Sequence, residues 1–158
     1  MPTSYYLKLT RIPGEVKVKP YEKWIEIESW SWGGSNSAGL SSGHGEGKVE
    51  ITDLHYVFKY GPSSPKVAQF CASGEHIDEA ILVAVRNGEI MRVTMTDVRV
   101  ASYQSGGTPQ GDSVPRDQVS LVYTSIVYKY GDQVVRHDSV KPSQQGMIQR
   151  AVQKSGTP

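Results

Sequence analysis

The chain has 158 residues and a formal net charge of +1. That length fits one domain with a core of its own, and the near-neutral charge gives no strong pull towards nucleic acid or an anionic membrane. One cysteine, Cys71, excludes an internal disulfide framework, and no apolar run approaches the roughly 20 residues needed to span a bilayer.

The N-terminal Met1-Pro2-Thr3-Ser4-Tyr5-Tyr6 lacks the basic-then-apolar pattern of a secretory signal. The expectation is a protein made in the cytoplasm; if it leaves the cell, its route reads no cleavable signal. From there the dominant period is two. Tyr5 to Leu9 reads as a short strand ended by the turn Ile12-Pro13-Gly14. Tyr21 to Trp32 reads as a second, longer strand region that ends in Glu28-Ser29-Trp30-Ser31-Trp32. Its parity is mixed: Ile25 and Ile27 point one way, Trp30 and Trp32 the other. Either a bulge shifts the register near Glu28-Ser29, or both faces of the strand are covered.

Ser35 to Gly47 has no apolar period and reads as a long extended loop, of the kind that is functional or disordered. Lys48 to Tyr60 returns to strand character. Pro62 to Pro65 is a turn, and a helix over about 64–73 follows. Ser64 suits its N-cap and Pro65 its first position, Val67, Phe70 and Cys71 form one buried face, and Gly74 is the stop.

Ile77 to Val85 and Ile90 to Val100 are two strands joined by Arg86-Asn87-Gly88-Glu89, a strong hairpin signal. The alternation of Met91, Val93 and Met95 flips to Val98 and Val100, which predicts a bulge near Asp97. Ser105 to Arg116 is a Gly/Pro-rich connection. Val119 to Tyr130 reads as one long strand, turned by Tyr130-Gly131-Asp132-Gln133 into Val134 to His137. The pattern predicts a mainly β fold, a small antiparallel β-barrel or sandwich with one flanking α-helix. The domain spans 1–140, and a polar, poorly patterned tail occupies 141–158.

Few residues argue for chemistry. Gly43-His44-Gly45-Glu46-Gly47-Lys48 fails as a phosphate cradle, because position 42 is Ser and position 49 is Val. The histidines His44, His55, His76 and His137 have no metalloprotease spacing, and a single cysteine cannot build a structural zinc site. Asp53 and His55 sit two apart on a predicted strand and so share a face, without a nucleophile motif beside them. Cys71 suits a small core residue. Trp30 and Trp32 have Ser, Gly and Glu28 as neighbours rather than Lys or Arg, which favours core or subunit interface over nucleobase stacking.

Taken together, several segments resemble the haemolysin-coregulated proteins (Hcp), the tube subunits of bacterial type VI secretion systems. They are Ile27-Glu28-Ser29-Trp30-Ser31-Trp32-Gly33, Gly45-Glu46-Gly47-Lys48-Val49 with Asp53-Leu54, Ser64-Pro65-Lys66-Val67 through Cys71-Ala72-Ser73-Gly74-Glu75-His76, Met95-Thr96-Asp97-Val98 with Ser102-Tyr103-Gln104-Ser105-Gly106-Gly107, and Asp117-Gln118-Val119-Ser120-Leu121. They stand in family order over about residues 3–130. Arg86-Asn87-Gly88 lacks the longer basic hairpin of many members.

The resemblance implies a β-barrel with one helix that closes as a homohexamer, with rings stacking into a hollow tube. It implies a contractile sheath and spike-tip proteins as partners, protein effectors as cargo, and export from a Gram-negative cell to the extracellular space or a target cell. It implies no catalytic residue, no cofactor, no metal, no nucleic acid and no membrane insertion. On this reading the segment with Ser35, Asn36, Ser37, Leu40, Gly43, His44, Gly45 and Glu46 orders against the adjacent ring. If Trp30 and Trp32 face the core, Ser31 points the other way, either into the lumen or into a subunit contact. The competing readings are a secreted hydrolase using Asp53 and His55, and a monomeric ligand-binding β-barrel.

Overall fold

The computed structural model describes residues 2–36, 49–109 and 114–138. Within them the chain forms β1 (Ser4–Leu9), β2 (Ile25–Ile27), β3 (Ser29–Ser31), β4 (Gly34–Asn36), β5 (Val49–Ile51), β6 (Leu54–Lys59), α1 (Ser64–Ser73), β7 (Ile77–Val85), β8 (Glu89–Gly106), β9 (Arg116–Val122), β10 (Ser125–Tyr130) and β11 (Gln133–Asp138). All the strand pairings are antiparallel. The mainly β class with one short helix is the one the period-two patterning predicts.

Two sheets share β8. One runs β2-β1-β7-β8-β10-β11, and the other runs β3-β6-β9-β8. Up to Thr96, β8 lies between β7 and β10; from Arg99 it pairs with β9. It changes sheet at Asp97, which is held at φ 52°. The buried set Met91, Val93 and Met95 gives way there to Val98 and Val100, so the irregularity that the sequence predicts near Asp97 is present. A further register slip follows between Val100 and Ser102. Such defects bend a strand and re-aim its faces.

The barrel is not closed by strand pairing. Its hydrogen-bonded path is open between β2 and β3, two consecutive strands separated by Glu28 alone. Glu28 N–H donates to the Val57 carbonyl at 2.9 Å and makes the corner. This settles the parity conflict of the Tyr21–Trp32 region. It is neither one bulged strand nor one strand covered on both faces, but two short strands in two sheets. Ile25 and Ile27 enter the core from one sheet and Trp30 from the other.

Other boundaries move for local reasons. The strand expected over Lys48–Tyr60 is split at Thr52 and Asp53 into β5 and β6. Ser35 and Asn36, expected in the loop, belong to β4 and pair with Glu50 and Val49 of β5. The sequence Gly34-Ser35-Asn36 carries no apolar alternation, so backbone pairing alone reveals this ribbon. Ser37, Leu40, Gly43, His44, Gly45 and Glu46 lie outside the described residues, as does the 141–158 tail. The long strand expected over Val119–Tyr130 breaks at Tyr123 and Thr124, where the Thr124 N–H and Oγ1 each donate to the Thr96 carbonyl at 3.1 Å. β8 runs on to Gly106, into the segment expected to be a connection.

Helix α1 buries Val67 and Phe70, with Cys71 packed against the same core. Its N-cap is Ser63 rather than Ser64; the Ser64 hydroxyl accepts from Gly61 N–H at 3.1 Å instead. Gly74, at φ 70°, ends the helix and donates to the Phe70 carbonyl at 3.0 Å, a left-handed cap that glycine adopts at little cost. A second, smaller cluster of Tyr6, Val16, Tyr21, Ile81 and Val83 lies where the Ile12–Trp24 segment covers the outer face of β1 and β7. There the Tyr21 hydroxyl donates to Glu89 Oε1 at 2.9 Å, and Arg92 holds both Glu89 oxygens at 2.8 Å.

Candidate functional site

Side chains alternate across a strand, so the β3-β6-β9-β8 sheet has one face in the core and one outside. The inward row is Trp30, Tyr56, Val119 and Tyr103. Trp30 meets Tyr5 edge-on with centroids 5.8 Å apart, and Trp32 packs 5.6 Å from Tyr128. Both tryptophans are partly buried against the main core. Ser31 is exposed on the opposite face.

Two neighbouring cross-strand rows form the middle of that outer face, between the Lys59–Arg116 pair at one end and Arg99, paired with Val122, at the other. One is Ser31, His55, Ser120 and Ser102; the other is Ser29, Val57, Gln118 and Gln104. They line a shallow hollow of about 460 Å³. Among the described residues, no Asp, Glu, Lys or Arg lines it. Hydroxyls, amides and one imidazole offer hydrogen bonds there. Arg116, one pair beyond Gln118 on the same face of β9, donates from Nε to Glu28 Oε1 at 2.9 Å.

His55 Nδ1 lies 2.7 Å from Ser120 Oγ, the direct product of their pairing across β6 and β9. The arrangement with Asp53 that the spacing suggested does not form as expected. β6 begins at Leu54, so Asp53 lies outside the strand on whose face it was to join His55. Asp53 bears instead on Tyr123, whose phenol is pushed up to about 12, first by burial and then by the nearby carboxylate. Of the other histidines, His76 Nδ1 sits 2.5 Å from Asp97 Oδ1; this hydrogen bond is the chief reason the Asp97 carboxyl lies below its usual range. His137 stands on β11 opposite Ile126, and His44 is outside the described residues. Among the described residues no group of three His, Cys, Asp or Glu side chains is placed to hold a metal ion, and no helix is long and apolar enough to cross a membrane.

Ser35 and Asn36 lie on the β4–β5 ribbon, which forms a separate two-stranded sheet. Its root is the pair Gly33 and Thr52, joined by Thr52 N–H to the Gly33 carbonyl at 2.7 Å and by Gly33 N–H to Thr52 Oγ1 at 2.8 Å. Sequence reasoning named Ser31 but missed Ser102, Gln104, Gln118, Ser120 and Thr52. The polar positions of β9 were visible as the alternates of Val119 and Leu121. Nothing in the sequence states that β9 lies between β6 and β8, and that placement brings the four strands' polar residues onto one face.

A model of the family described as "Type VI secretion system effector, Hcp" matches residues 6–130. Protein hcp1 of Pseudomonas aeruginosa is 29% identical over 140 residues, covering 84% of this chain and 86% of that protein. The crystal structure of Hcp1 from Salmonella typhimurium superposes with a TM-score of 0.76 at 30% identity, covering 87% of this chain and 95% of that one. A type VI secretion system effector from Yersinia pestis, at 19% identity, shares the fold with a TM-score of 0.74 over 85% of this chain and 98% of its own. The chain belongs to the Hcp family and is a secreted, self-assembling subunit of a type VI secretion tube.

Proposed function

We propose that the protein closes into homohexameric rings that stack into a hollow tube, with the face carrying Ser31, His55, Ser120 and Ser102 turned to the lumen. The observation that carries this reading is that, among the described residues, no Asp, Glu, Lys or Arg lines the hollow. A wall of hydroxyls and amides can hydrogen-bond to many protein surfaces without trapping either sign of charge. Protein effectors are the cargo, with Ser31 in contact with them, and a contractile sheath and spike-tip proteins are the other partners. The protein works by assembly, without a catalytic step. It is made in a Gram-negative bacterium and passes through the secretion system to the medium or a target cell.

Two further features support the reading. Among the described residues, β11 pairs with β10 on one side only, and it carries Val134 and Val135 at 58% and 64% exposure. An apolar open edge of this kind suits cover by a second copy, since exposed edges otherwise recruit unwanted strands. Ring closure uses two different surfaces of each subunit, and β11 supplies one. The segment with Ser35, Asn36, Ser37, Leu40, Gly43, His44, Gly45 and Glu46 makes the contact with the neighbouring ring, at an entropy cost of about 1 kcal/mol or more for each residue that orders only on contact. That cost keeps free rings from stacking early.

Light scattering on a sizing column tests the ring. A particle six times the 17.4 kDa chain supports it, and a monomer at all concentrations overturns it. Ser31→Gln tests the lumen: rings and tube secretion persist while cargo export falls. Unchanged cargo export removes Ser31 from the contact.

A further inference from the structure

The geometry points to Thr52 as the residue that fixes the direction in which the 34–51 arm leaves the body of the subunit. The inference rests on the reading of that arm as the ring-stacking element.

Gly33 and Thr52 continue the register of the ribbon, one step before Gly34 and Ile51. In a regular antiparallel bonded pair, each N–H reaches the other residue's carbonyl. Only the first bond is regular here: Thr52 N–H donates to the Gly33 carbonyl at 2.7 Å. The return bond is rerouted. Gly33 N–H donates to the Thr52 side-chain oxygen at 2.8 Å, and the same hydroxyl donates to the Gly33 carbonyl at 2.9 Å. The Thr52 carbonyl then accepts from the Tyr123 hydroxyl at 2.7 Å.

One side chain therefore ties the two legs of the ribbon, and one carbonyl ties the ribbon to the body. Tyr123 packs against the main core and sits in the break between β9 and β10. With its phenol raised to about 12 by burial and by Asp53, it remains a donor at neutral pH. Beyond the joint the legs are fixed by Trp32, packed on Tyr128, and by the fully buried Leu54. Rotation of the ribbon against the body has to break the Thr52 and Tyr123 bonds. An arm that must meet a second ring needs its launch angle fixed before contact, because pre-organisation lowers the cost of association.

Thr52→Val keeps the branched shape and removes the hydroxyl; Thr52→Ser keeps the hydroxyl; Tyr123→Phe removes the anchor to the body. Gly43→Ala with Gly45→Ala perturbs the arm itself. Each is compared with the unaltered chain by light scattering for ring mass, electron microscopy for stack length, thermal melting, and amide hydrogen exchange at Gly33. The expected result is intact rings for Thr52→Val and Tyr123→Phe, a several-fold loss of stack length, and faster exchange at Gly33 in Thr52→Val. Thr52→Ser restores both properties. Normal stacks in Thr52→Val and Tyr123→Phe, beside shortened stacks in the arm variant, overturn the role of the joint and leave the arm reading standing. Short stacks that Thr52→Ser does not rescue also overturn it. Normal stacks in the arm variant overturn the arm reading, and the joint's part in assembly with it.

Discussion

The Tyr103 hydroxyl donates to Asp117 Oδ2 at 2.9 Å. Asp117 is fully buried, and its other oxygen, the Tyr56 hydroxyl and the Ser63 hydroxyl find no hydrogen-bond partner among the described residues. Tyr103 is thus the donor that holds a carboxylate inside the fold. Burial raises both phenols, with Asp117 adding to the effect, so both stay protonated at neutral pH. Tyr103→Phe strips the carboxylate of its partner and should destabilise the fold by about 2 kcal/mol or more, the cost of leaving a buried polar group unpaired. Urea denaturation at pH 7 measures it; a loss within error would show that the carboxylate is satisfied elsewhere.

Gly14 is a second point of fragility. Its N–H donates to the Lys23 carbonyl at 2.7 Å. A Cβ there would overlap the Trp24 carbonyl oxygen and lie 2.7 Å from Ile25 Cγ1. The first of these is backbone, so side-chain rotation offers no relief. Gly14→Ala should cost about 1–3 kcal/mol by overpacking and should loosen the Ile12–Trp24 segment over Tyr6 and Val83. Thermal melting, with tryptophan fluorescence to follow Trp24, checks both effects.

Stability should fall at both ends of the pH range. Tyr21 is raised from 10.0 to about 12, first by burial and then by its hydrogen bond to Glu89. A raised folded value means that its contribution is complete below pH 10 and is lost as the pH rises towards 12. Asp97 and Glu89 lie below their ordinary values of 3.8 and 4.5, held chiefly by hydrogen bonds from His76 and Arg92. A lowered folded value means that their contribution is present above the ordinary value and fades as the pH drops through the folded one. Denaturation midpoints across pH 2–12 (roughly flat between the acid and alkaline limbs) test this, as a shallower alkaline limb in Tyr21→Phe and a shallower acid limb in Asp97→Asn.

The open edge of β11 predicts a separation of folding from assembly. Val134 and Val135 are more than half exposed, so Val134→Asp with Val135→Asp should change subunit stability by no more than roughly 0.5 kcal/mol per site. Ring formation should fail. Sedimentation velocity beside a thermal melt reads both, and intact rings would move the subunit contact away from β11.

Period-two alternation carried most of the fold. The hairpin at Asn87 and Gly88, with φ 54° and 102°, and the change of parity at Asp97 follow from local chemistry, and the sequence displays them. Glu28 is different. Its role as a corner depends on β2 pairing β1 and β3 pairing β6, partners separated by many residues, so the mixed parity around it could be noticed but not explained. The candidate site divides in the same way. Ser31 was visible because Trp30 and Trp32 flank it. Ser120 and Gln118 became its neighbours only through the order of four strands. The ribbon leg at Ser35 and Asn36 was invisible because Gly34-Ser35-Asn36 has no apolar pattern, although Val49 and Ile51 marked its partner as a strand. The Asp53 and His55 expectation failed because Thr52 and Asp53 interrupt the strand that spacing alone had treated as continuous.

The sharing of β8 has a mechanical meaning. No row of hydrogen bonds divides the subunit into two halves, because one unbroken backbone from Glu89 to Gly106 belongs to both sheets. A pull on either sheet travels along covalent bonds into the other, and unzipping one requires shearing β8 away from β7, β9 and β10. A tube subunit built this way yields as a single unit or holds.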